Sequence, residues 1–307
     1  MSTNFPNGVS SRGVPVLGSG PVFTTGNIFF VDSGASNAAD TTANGTKTMP
    51  YATMDYATGR CTANNGDVVI VMPGHTETVS AAAGLALDVA GVSYVGIGRG
   101  SSRPTVNFTA TGADMDVDAA NITMENFLFT GGIDATTGIL DINAADCTLR
   151  NFETRDVTGQ MTDCIVTDAN ADRLLIDGWV HRGAAGDGGD SALNMVGGDD
   201  IEVCNFNIYG NFDNGAIESE TTANVRINIH DGYIWTEGAE DLAIVLLTAS
   251  TGRLGPNIFI RLQDDAANLD ECIVGDAMHT FDPVYIVNAD AEKALLTPMT
   301  ATSDAIV

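Results

Sequence analysis

Residues 122–127 read ITMENF, and four later hexapeptides repeat this pattern. The repeats are CTLRNF at 147–152, LLIDGW at 174–179, IEVCNF at 201–206 and INIHDG at 227–232. Their fifth positions advance by 25, 27, 27 and 26 residues (126→151→178→205→231). A period this constant is the signature of a repeat protein whose units stack on one another.

Most of the repeated hexapeptides alternate apolar and polar residues, which predicts strands with one buried face. A second apolar strand precedes each of them, for example at Ile139/Ile142 and at Leu193/Met195. The turns lack regular Asn-Gly pairs, which disfavours hairpins. The strands can instead coil, each pairing in parallel with its equivalent one rung away. The sequence therefore predicts an all-β right-handed parallel β-helix with rungs of roughly 26 residues.

Equivalent side chains of stacked rungs lie above one another, so the repeat predicts two ladders. An inward Asn at a turn can hydrogen-bond to its neighbours above and below. The fifth positions predict such a polar ladder, interrupted by Gly178, from Asn126, Asn151, Asn205 and Asp231. The sixth positions predict an aromatic stack inside the coil, from Phe127, Phe152, Trp179 and Phe206.

The charge of the chain is strongly one-sided. Forty Asp+Glu face 13 Lys+Arg among 307 residues, for a formal net charge of −27. Such a surface repels phosphate backbones, so we expect no nucleic-acid partner. No apolar stretch approaches the length of a membrane span, so we expect no membrane partner. The N-terminus lacks the pattern of a secretory signal, which predicts synthesis in the cytoplasm.

The cysteines show no pattern of a metal or disulfide framework. They form no CxxC pair, and their number is odd; they are Cys61, Cys147, Cys164, Cys204 and Cys272. We interpret them as thiols of a reducing compartment, with Cys147 buried at an apolar repeat position. We expect no bound metal and no cofactor.

The chain divides into three parts. Residues 1–27 mix Gly, Pro, Ser and Asn with scattered apolar residues, which predicts an extended arm that orders against a partner. Residues 28–290 form the β-helix, with a short capping helix from Tyr51 to about Arg60, because solenoid ends must be covered. Residues 291–307 form an irregular tail. The apolar residues that would anchor the arm are Phe5, Val14, Val16, Leu17 and Val22.

Catalysis on a polysaccharide would need converging carboxylates. The best candidates are two pairs: Asp199 and Asp200, which adjoin a repeat strand, and Glu218 and Glu220, somewhat less than a rung later. Forty acids will cluster somewhere on a solenoid face in any case. We therefore predict that the chain is not an enzyme and keep these four only as candidates.

A lyase would need a cation held by carboxylates and a basic residue that takes a proton. The acids Asp114, Asp116 and Asp118 alternate along one strand, yet no arginine lies beside them in the rung register. The arginines that could act as the base are Arg150, Arg155, Arg182 and Arg226. No nucleophile elbow, phosphate loop or two-histidine metal motif occurs.

Two stretches ahead of the repeats point to a family. They are FVDSG at 30–34, followed by PYATMDYA at 50–57, and GDVVIVMPGHTE at 66–77. With the repeats, they resemble pectin-lyase-like β-helix proteins carried by tailed bacteriophages, over about residues 28–250. That group includes enzymatic tailspikes as well as non-catalytic head fibres and capsid decoration proteins, commonly trimeric. The chain lacks the Gly-His-Gly and Arg-Ile-Lys motifs of polygalacturonase-like hydrolases, and it lacks the long loops of a saccharide cleft.

The resemblance implies a structural virion protein that decorates or cements the capsid exterior as a homotrimer, with its arms inserted among subunits of the major capsid protein. The alternative is a tailspike or fibre that binds or cleaves host-surface polysaccharide. A host glycan would then be the partner, and Tyr209, Tyr233 and Trp235 the main candidates for an exposed saccharide platform. A tail baseplate or adaptor component is a third possibility.

Overall fold

A computed structural model of the chain describes residues 10–11, 14–15, 24–131, 133, 136–156, 161–183, 189–237, 242–262, 272–275, 278–280 and 284–288. The arm residues Phe5, Val16, Leu17 and Val22 and the predicted tail at 291–307 lie outside these ranges. Val14 belongs to a two-residue strand that pairs antiparallel with Ser10–Ser11.

The secondary structure is almost entirely β. The strands up to residue 131 are β1 (Ser10–Ser11), β2 (Val14–Pro15), β3 (Ile28–Val31), β4 (Val68–Val71), β5 (Thr76–Val79), β6 (Leu85–Ala86), β7 (Ser93–Gly96), β8 (Thr105–Phe108), β9 (Met115–Val117), β10 (Thr123–Glu125) and β11 (Leu128–Gly131). Those that follow are β12 (Thr136–Ile142), β13 (Thr148–Arg150), β14 (Glu153–Asp156), β15 (Met161–Thr167), β16 (Leu175–Asp177), β17 (Val180–Arg182), β18 (Gly189–Met195), β19 (Glu202–Gly210) and β20 (Phe212–Glu218). The last are β21 (Ile227–Thr236), β22 (Ile244–Val245), β23 (Gly252–Leu254), β24 (Ile258–Leu262), β25 (Ile273–Val274), β26 (Met278–Thr280) and β27 (Val284–Asn288). Helix α1 spans Met54–Thr58, and a 3₁₀ turn spans Gly100–Ser102.

The strands from β3 onward stack in three columns of parallel pairs, so a full rung has three faces. The first column is β3, β4, β7, β10, β13, β16, β19, β21, β23 and β26. The second is β5, β8, β11, β14, β17, β19, β21, β24 and β27. The third is β6, β9, β12, β15, β18, β20, β22 and β25. Strands β19 and β21 run through the first two columns and join them. The predicted parallel β-helix is confirmed.

The sequence repeat and the rung are the same unit. Thr123 of β10 pairs with Thr148 of β13, which pairs with Leu175 of β16. The series continues to Glu202 of β19 and Asn228 of β21. Residues one repeat apart are therefore hydrogen-bonded neighbours, and each position of the hexapeptide forms a row along the coil.

The interior of the coil is one hydrophobic core that includes Val31 of β3 and Val284 of β27. The aromatic residues of the repeat lie in it: Phe127 and Trp179 are fully buried, and Phe152 and Phe206 are 3% exposed. The Phe152 and Trp179 rings stack, while Phe129 contacts Phe152 edge-on.

The fifth positions of the repeat do not point inward, so the predicted Asn ladder is wrong. Asn151 and Asn205 are exposed, and Asn126 and Asp231 are half-buried. All four have positive φ, between 49° and 67°, as does Gly178 at 76°. These positions are turn residues in the left-handed region, which Asn, Asp and Gly tolerate best. Their side chains bond across the outside of the coil, as Asn205 Nδ2 does to Asp177 Oδ1 at 2.8 Å.

Helix α1 covers the first rung, so the predicted capping helix is confirmed, although it is shorter than predicted. Thr53 is its N-cap and accepts a hydrogen bond from the Tyr56 amide at 3.2 Å. Met54 and Ala57 are fully buried against the core. The carboxylate of Glu77 accepts from the Met54 amide at 3.0 Å, which satisfies a donor of the first turn.

No disulfide joins the five cysteines, all of which lie in the described part of the chain; Cys61 is half-buried, and the other four, including Cys147, are buried. In the part of the chain that the structure describes, no helix has the length and apolarity to cross a membrane.

Candidate functional site

Asp200 belongs to a second row of turn residues with positive φ. Asp146, Arg173, Asp200 and Arg226 occupy this turn in consecutive rungs, with φ between 58° and 63°. Arg226 holds Asp200 in a bidentate pair, Nε to Oδ1 at 2.6 Å and Nη2 to Oδ2 at 2.7 Å. Arg173 holds Asp146 in the same way. The row is a ladder of alternating charge along the rod.

The charge ladder accounts for the first predicted acid pair. The hydrogen bond from Arg226 lowers the pKa of Asp200, so this carboxylate stays ionised. Asp199 accepts from the Val225 amide at 3.2 Å and lies 3.5 Å from Arg226 Nη2. Both acids therefore make contacts within the turn. Because these ion pairs are exposed, each contributes little to stability.

Glu218 lies in a different environment, on the outer side of the third column. In β20, Ile217 is in the core and Glu218 points the other way, directly opposite Asn194 of β18. Asp163 of β15 pairs with Ser191 of β18, three residues before Asn194, and the Ser191 hydroxyl donates to Asp163 Oδ1 at 2.7 Å. All four residues are buried although they face away from the core; Glu218 is 2% exposed.

Burial decides the protonation of this group, which we call the Glu218 cluster (Asp163, Ser191, Asn194 and Glu218). Burial, together with the charges of Asp163 and Glu220, raises the pKa of Glu218 to about 8. Burial also raises the pKa of Asp163. Within the described residues, Glu218 Oε1 and Asn194 Oδ1 have no hydrogen-bond partner. A proton on Glu218 turns one of these acceptors into a donor, so the neutral carboxyl fits the site.

The two predicted acid pairs are not brought together. Glu220 is exposed at the rim of the Glu218 cluster and accepts from Asn194 Nδ2 at 3.4 Å. No hydrogen bond or ion pair among the described residues links Glu218 or Glu220 to Asp199 or Asp200. Sequence reasoning also missed Asp163 and Asn194. The available signal was the rung offset, 28 residues from 163 to 191 and 24 from 194 to 218.

The residues suggested for lyase chemistry lie on different sheets. Asp116 belongs to β9 of the third column, and burial plus the charges of Asp114 and Asp118 raises its pKa to about 6. Arg150 lies in the first column, while Arg155 and Arg182 lie in the second. Arg226 is held by Asp200. The structure thus separates the acids from these bases.

His181 is a buried polar residue inside the coil. It is 3% exposed, and its Nδ1 lies 2.9 Å from the Thr154 hydroxyl. Burial, with a smaller effect of Arg182, lowers its pKa to about 3, so the imidazole is neutral. Beside it lies a cavity of about 10 Å³, lined in part by Cys164 and Phe212, with room for roughly one water.

The outer face of the second column carries an aromatic patch near the C-terminal end of the rod. Its five members are Tyr209, Tyr233, Trp235, Phe259 and Tyr285. The Phe259 and Tyr285 rings stack with centroids 4.6 Å apart, and Tyr209 contacts Trp235 edge-on at 5.1 Å. The Arg261 guanidinium lies 4.2 Å from the centroid of the Trp235 ring. Phe259 is 46% exposed.

Comparisons with known proteins give a distant structural likeness. No protein-family model and no curated protein matches the chain. A rhamnogalacturonan lyase is a structural neighbour, with 14% sequence identity, 78% of this chain and 74% of that chain covered, and a TM-score of 0.44. A likeness this distant carries no inference about activity.

Proposed function

We propose that this chain is a structural virion protein of a tailed bacteriophage, which decorates the capsid exterior as a β-helical homotrimer. The observation that carries the proposal is the rod itself, in which three columns of parallel strands enclose one core from Val31 to Val284. Such a stack is stiff along its axis, which suits a protein that projects from a shell or braces it. The sequence resemblance to phage β-helix proteins supplies the setting.

The role we propose is not catalytic, and the placement of the acids supports this. Asp199 and Asp200 are held by Arg226. Glu218 is 2% exposed, so its carboxyl cannot contact a polymer on the surface of the rod. The formal net charge of −27 makes separate trimers repel one another, which suits many copies on one shell.

The proposed capsid anchor is the N-terminal arm, and the structure indicates where a truncation must stop. Thr24 donates from its hydroxyl to the Gly66 carbonyl, and the Asn27 amide donates to Asp67 Oδ1 at 2.6 Å. A Cβ on Gly26 would lie 2.6 Å from the Asn65 carbonyl oxygen. Because residues 24–27 belong to the first rung, removal of 1–27 would damage the rod, whereas removal of 1–23 spares these contacts.

The test is co-sedimentation with undecorated phage capsids. We expect saturable binding by the full chain and loss of binding by a chain that lacks residues 1–23, with the same thermal melt for both. A full-length variant with Val16→Asp and Leu17→Asp should also lose binding. Equal binding by all three proteins would contradict the arm as anchor, and failure of the full chain to bind would contradict the decoration role.

A second candidate function is the binding of host-surface polysaccharide, and the aromatic patch favours it. Exposed aromatic rings stack on sugar rings, and Phe259, Tyr285 and Trp235 form such a surface. If this is the function, Trp235→Ala and Phe259→Ala should each weaken binding of purified host polysaccharide at least tenfold. Ile97→Ala, at another exposed apolar position, is the control. Dissociation of the trimer in light scattering, with unchanged glycan binding, would instead make the patch a contact between copies.

A further inference from the structure

A cluster of three different ligand types lies on the outer face of the first column, away from the Glu218 cluster. Glu202 and Cys204 are two residues apart in β19 and so face the same side of the sheet. His230 of β21 lies directly opposite Cys204. One carboxylate oxygen, one sulfur and one imidazole nitrogen lie within 4.8 Å of one another.

The geometry of His230 is that of a metal ligand with an outer partner. Its Nε2 faces Glu202 Oε1 at 3.0 Å, while its Nδ1 bonds to Asp231 Oδ2 at 2.6 Å. A metal-binding imidazole commonly holds a carboxylate at its second nitrogen, which fixes the tautomer and the ring orientation. Asp231 Oδ1 accepts a hydrogen bond from Asn257 Nδ2 at 2.7 Å. The backbone of Asp231 is held in the left-handed turn at a φ of 53°.

Cys204 provides the soft donor. It is 6% exposed although it faces away from the core. Asn205 Nδ2 lies 3.7 Å from its sulfur, as a donor to a ligating thiolate would. A simple ion pair of His230 with the two carboxylates would account for the imidazole but would give the buried thiol no role.

We propose that Glu202, Cys204 and His230 bind one divalent transition-metal ion, with Zn²⁺ as the preferred ion. A set of one sulfur, one nitrogen and one oxygen suits Zn²⁺ and excludes Mg²⁺ and Ca²⁺, which take oxygen ligands. Three protein ligands leave a fourth tetrahedral position for water. The thiol proton is released to solvent when the metal–sulfur bond forms.

The consequence is a clip between adjacent rungs. Cys204 and His230 are 26 residues apart in the chain, one rung, so one ion joins β19 to β21. A ligand that binds the folded rod and not the unfolded chain stabilises the rod by mass action. The clip lies at the end of the regular repeats, next to β23 and β24.

The test uses the full chain, stripped of metal and kept reduced, and titrated with Co²⁺ as a spectroscopic substitute for Zn²⁺. We expect a thiolate-to-cobalt charge-transfer band that saturates at one equivalent and is abolished by Zn²⁺. Cys204→Ser should remove the band, and His230→Gln should weaken binding at least tenfold. Cys61→Ser, at a half-buried thiol elsewhere, should keep both band and affinity. Asp231→Asn should keep the band and weaken binding by about 10- to 100-fold.

Absence of the band at stoichiometric Co²⁺ would overturn the proposal, as would its persistence in Cys204→Ser or its loss in Cys61→Ser. If Cys204→Ser fails to fold, X-ray absorption of the Zn²⁺-loaded wild-type chain decides the matter. One sulfur neighbour per zinc supports the site, and a shell of nitrogen and oxygen alone refutes it.

Discussion

The indole ring of Trp179 lies parallel to the ring of Phe152 one rung away, with centroids 6.0 Å apart and 9° between the planes. Its Nε1 donates to the Thr154 hydroxyl at 2.9 Å. The pair thus combines an offset stack with a satisfied polar handle inside the coil.

Trp179→Ala should destabilise the rod by about 3–5 kcal/mol, because it leaves a large cavity and a Thr154 hydroxyl without its donor. Trp179→Phe should cost less, since Phe fills the same position in neighbouring rungs. Urea unfolding measures both. Ile97→Ala, which truncates an exposed apolar side chain, is the control and should change the free energy of unfolding by under about 0.5 kcal/mol. Equal losses for Trp179→Ala and Ile97→Ala would contradict the buried stack.

Asn151 lies at the fifth position of the repeat, with φ of 49°, and is exposed. We therefore expect this position to accept Gly more readily than a β-branched residue. Asn151→Gly should be tolerated, because Gly178 fills the same position one rung on. Asn151→Val should cost about 1–2 kcal/mol, since a β-branched residue is strained in the left-handed region. Thr148→Val in the adjacent strand is the matched control and should be nearly neutral. An inward Asn ladder would instead predict that Asn151→Gly is as damaging as Asn151→Val, because both remove the side-chain amide.

Glu218 should make the rod less stable as the pH rises. Its pKa is about 8 in the folded chain and 4.5 in the reference state, so between these values the folded state binds more protons and the free energy of unfolding falls with pH. Glu218→Gln should therefore match wild type near pH 4 and exceed it near pH 8 by on the order of 3 kcal/mol. Chemical denaturation at both pH values checks this. Asp213→Asn, on the same strand, is the control, and a gain that is the same at both pH values would refute the assignment.

His181 should make the rod less stable as the pH falls, which is the opposite pH dependence to that of Glu218. Its pKa is about 3 in the folded chain against 6.5 in the reference state, so its contribution is complete above pH 6.5 and is lost as the pH falls. Between pH 6.5 and 4 this loss should reach about 3 kcal/mol and should be absent in His181→Phe. NMR titration of the folded chain should show an imidazole that stays neutral at pH 5, and titration near pH 6.5 would contradict its burial.

The sequence predicts the length and register of the rungs well. It predicts less well which side chains point into the core. A coil of stacked strands forces equivalent residues into register, so the period of 126→151→178→205→231 corresponds directly to hydrogen-bonded neighbours. The inward placement of Phe152 and Trp179 follows from alternation. Asn151 and Asn205 were placed inward by analogy with polar ladders, but positive φ turns the side chain of the residue before the aromatic away from the core.

The candidate sites were harder to predict, because their members come from different rungs. Glu218 meets Asp163 two strands away, and Cys204 meets His230 one rung away, so neither forms a local motif. Asp200 was a candidate catalytic acid because it adjoins a strand. It lies in a turn and pairs with Arg226, so it belongs to the charge ladder. A search at the rung period, instead of at fixed short spacings, would have paired Cys204 with His230.

The measurement that tests the central claim most directly is a cryo-electron microscopy reconstruction of undecorated capsids incubated with the full chain. We predict rods about 43 Å long, the span of nine strand spacings in the first column, grouped in threes on the shell exterior at positions of threefold or local threefold symmetry. A shell without added density, or density confined to the tail, would contradict a capsid decoration protein.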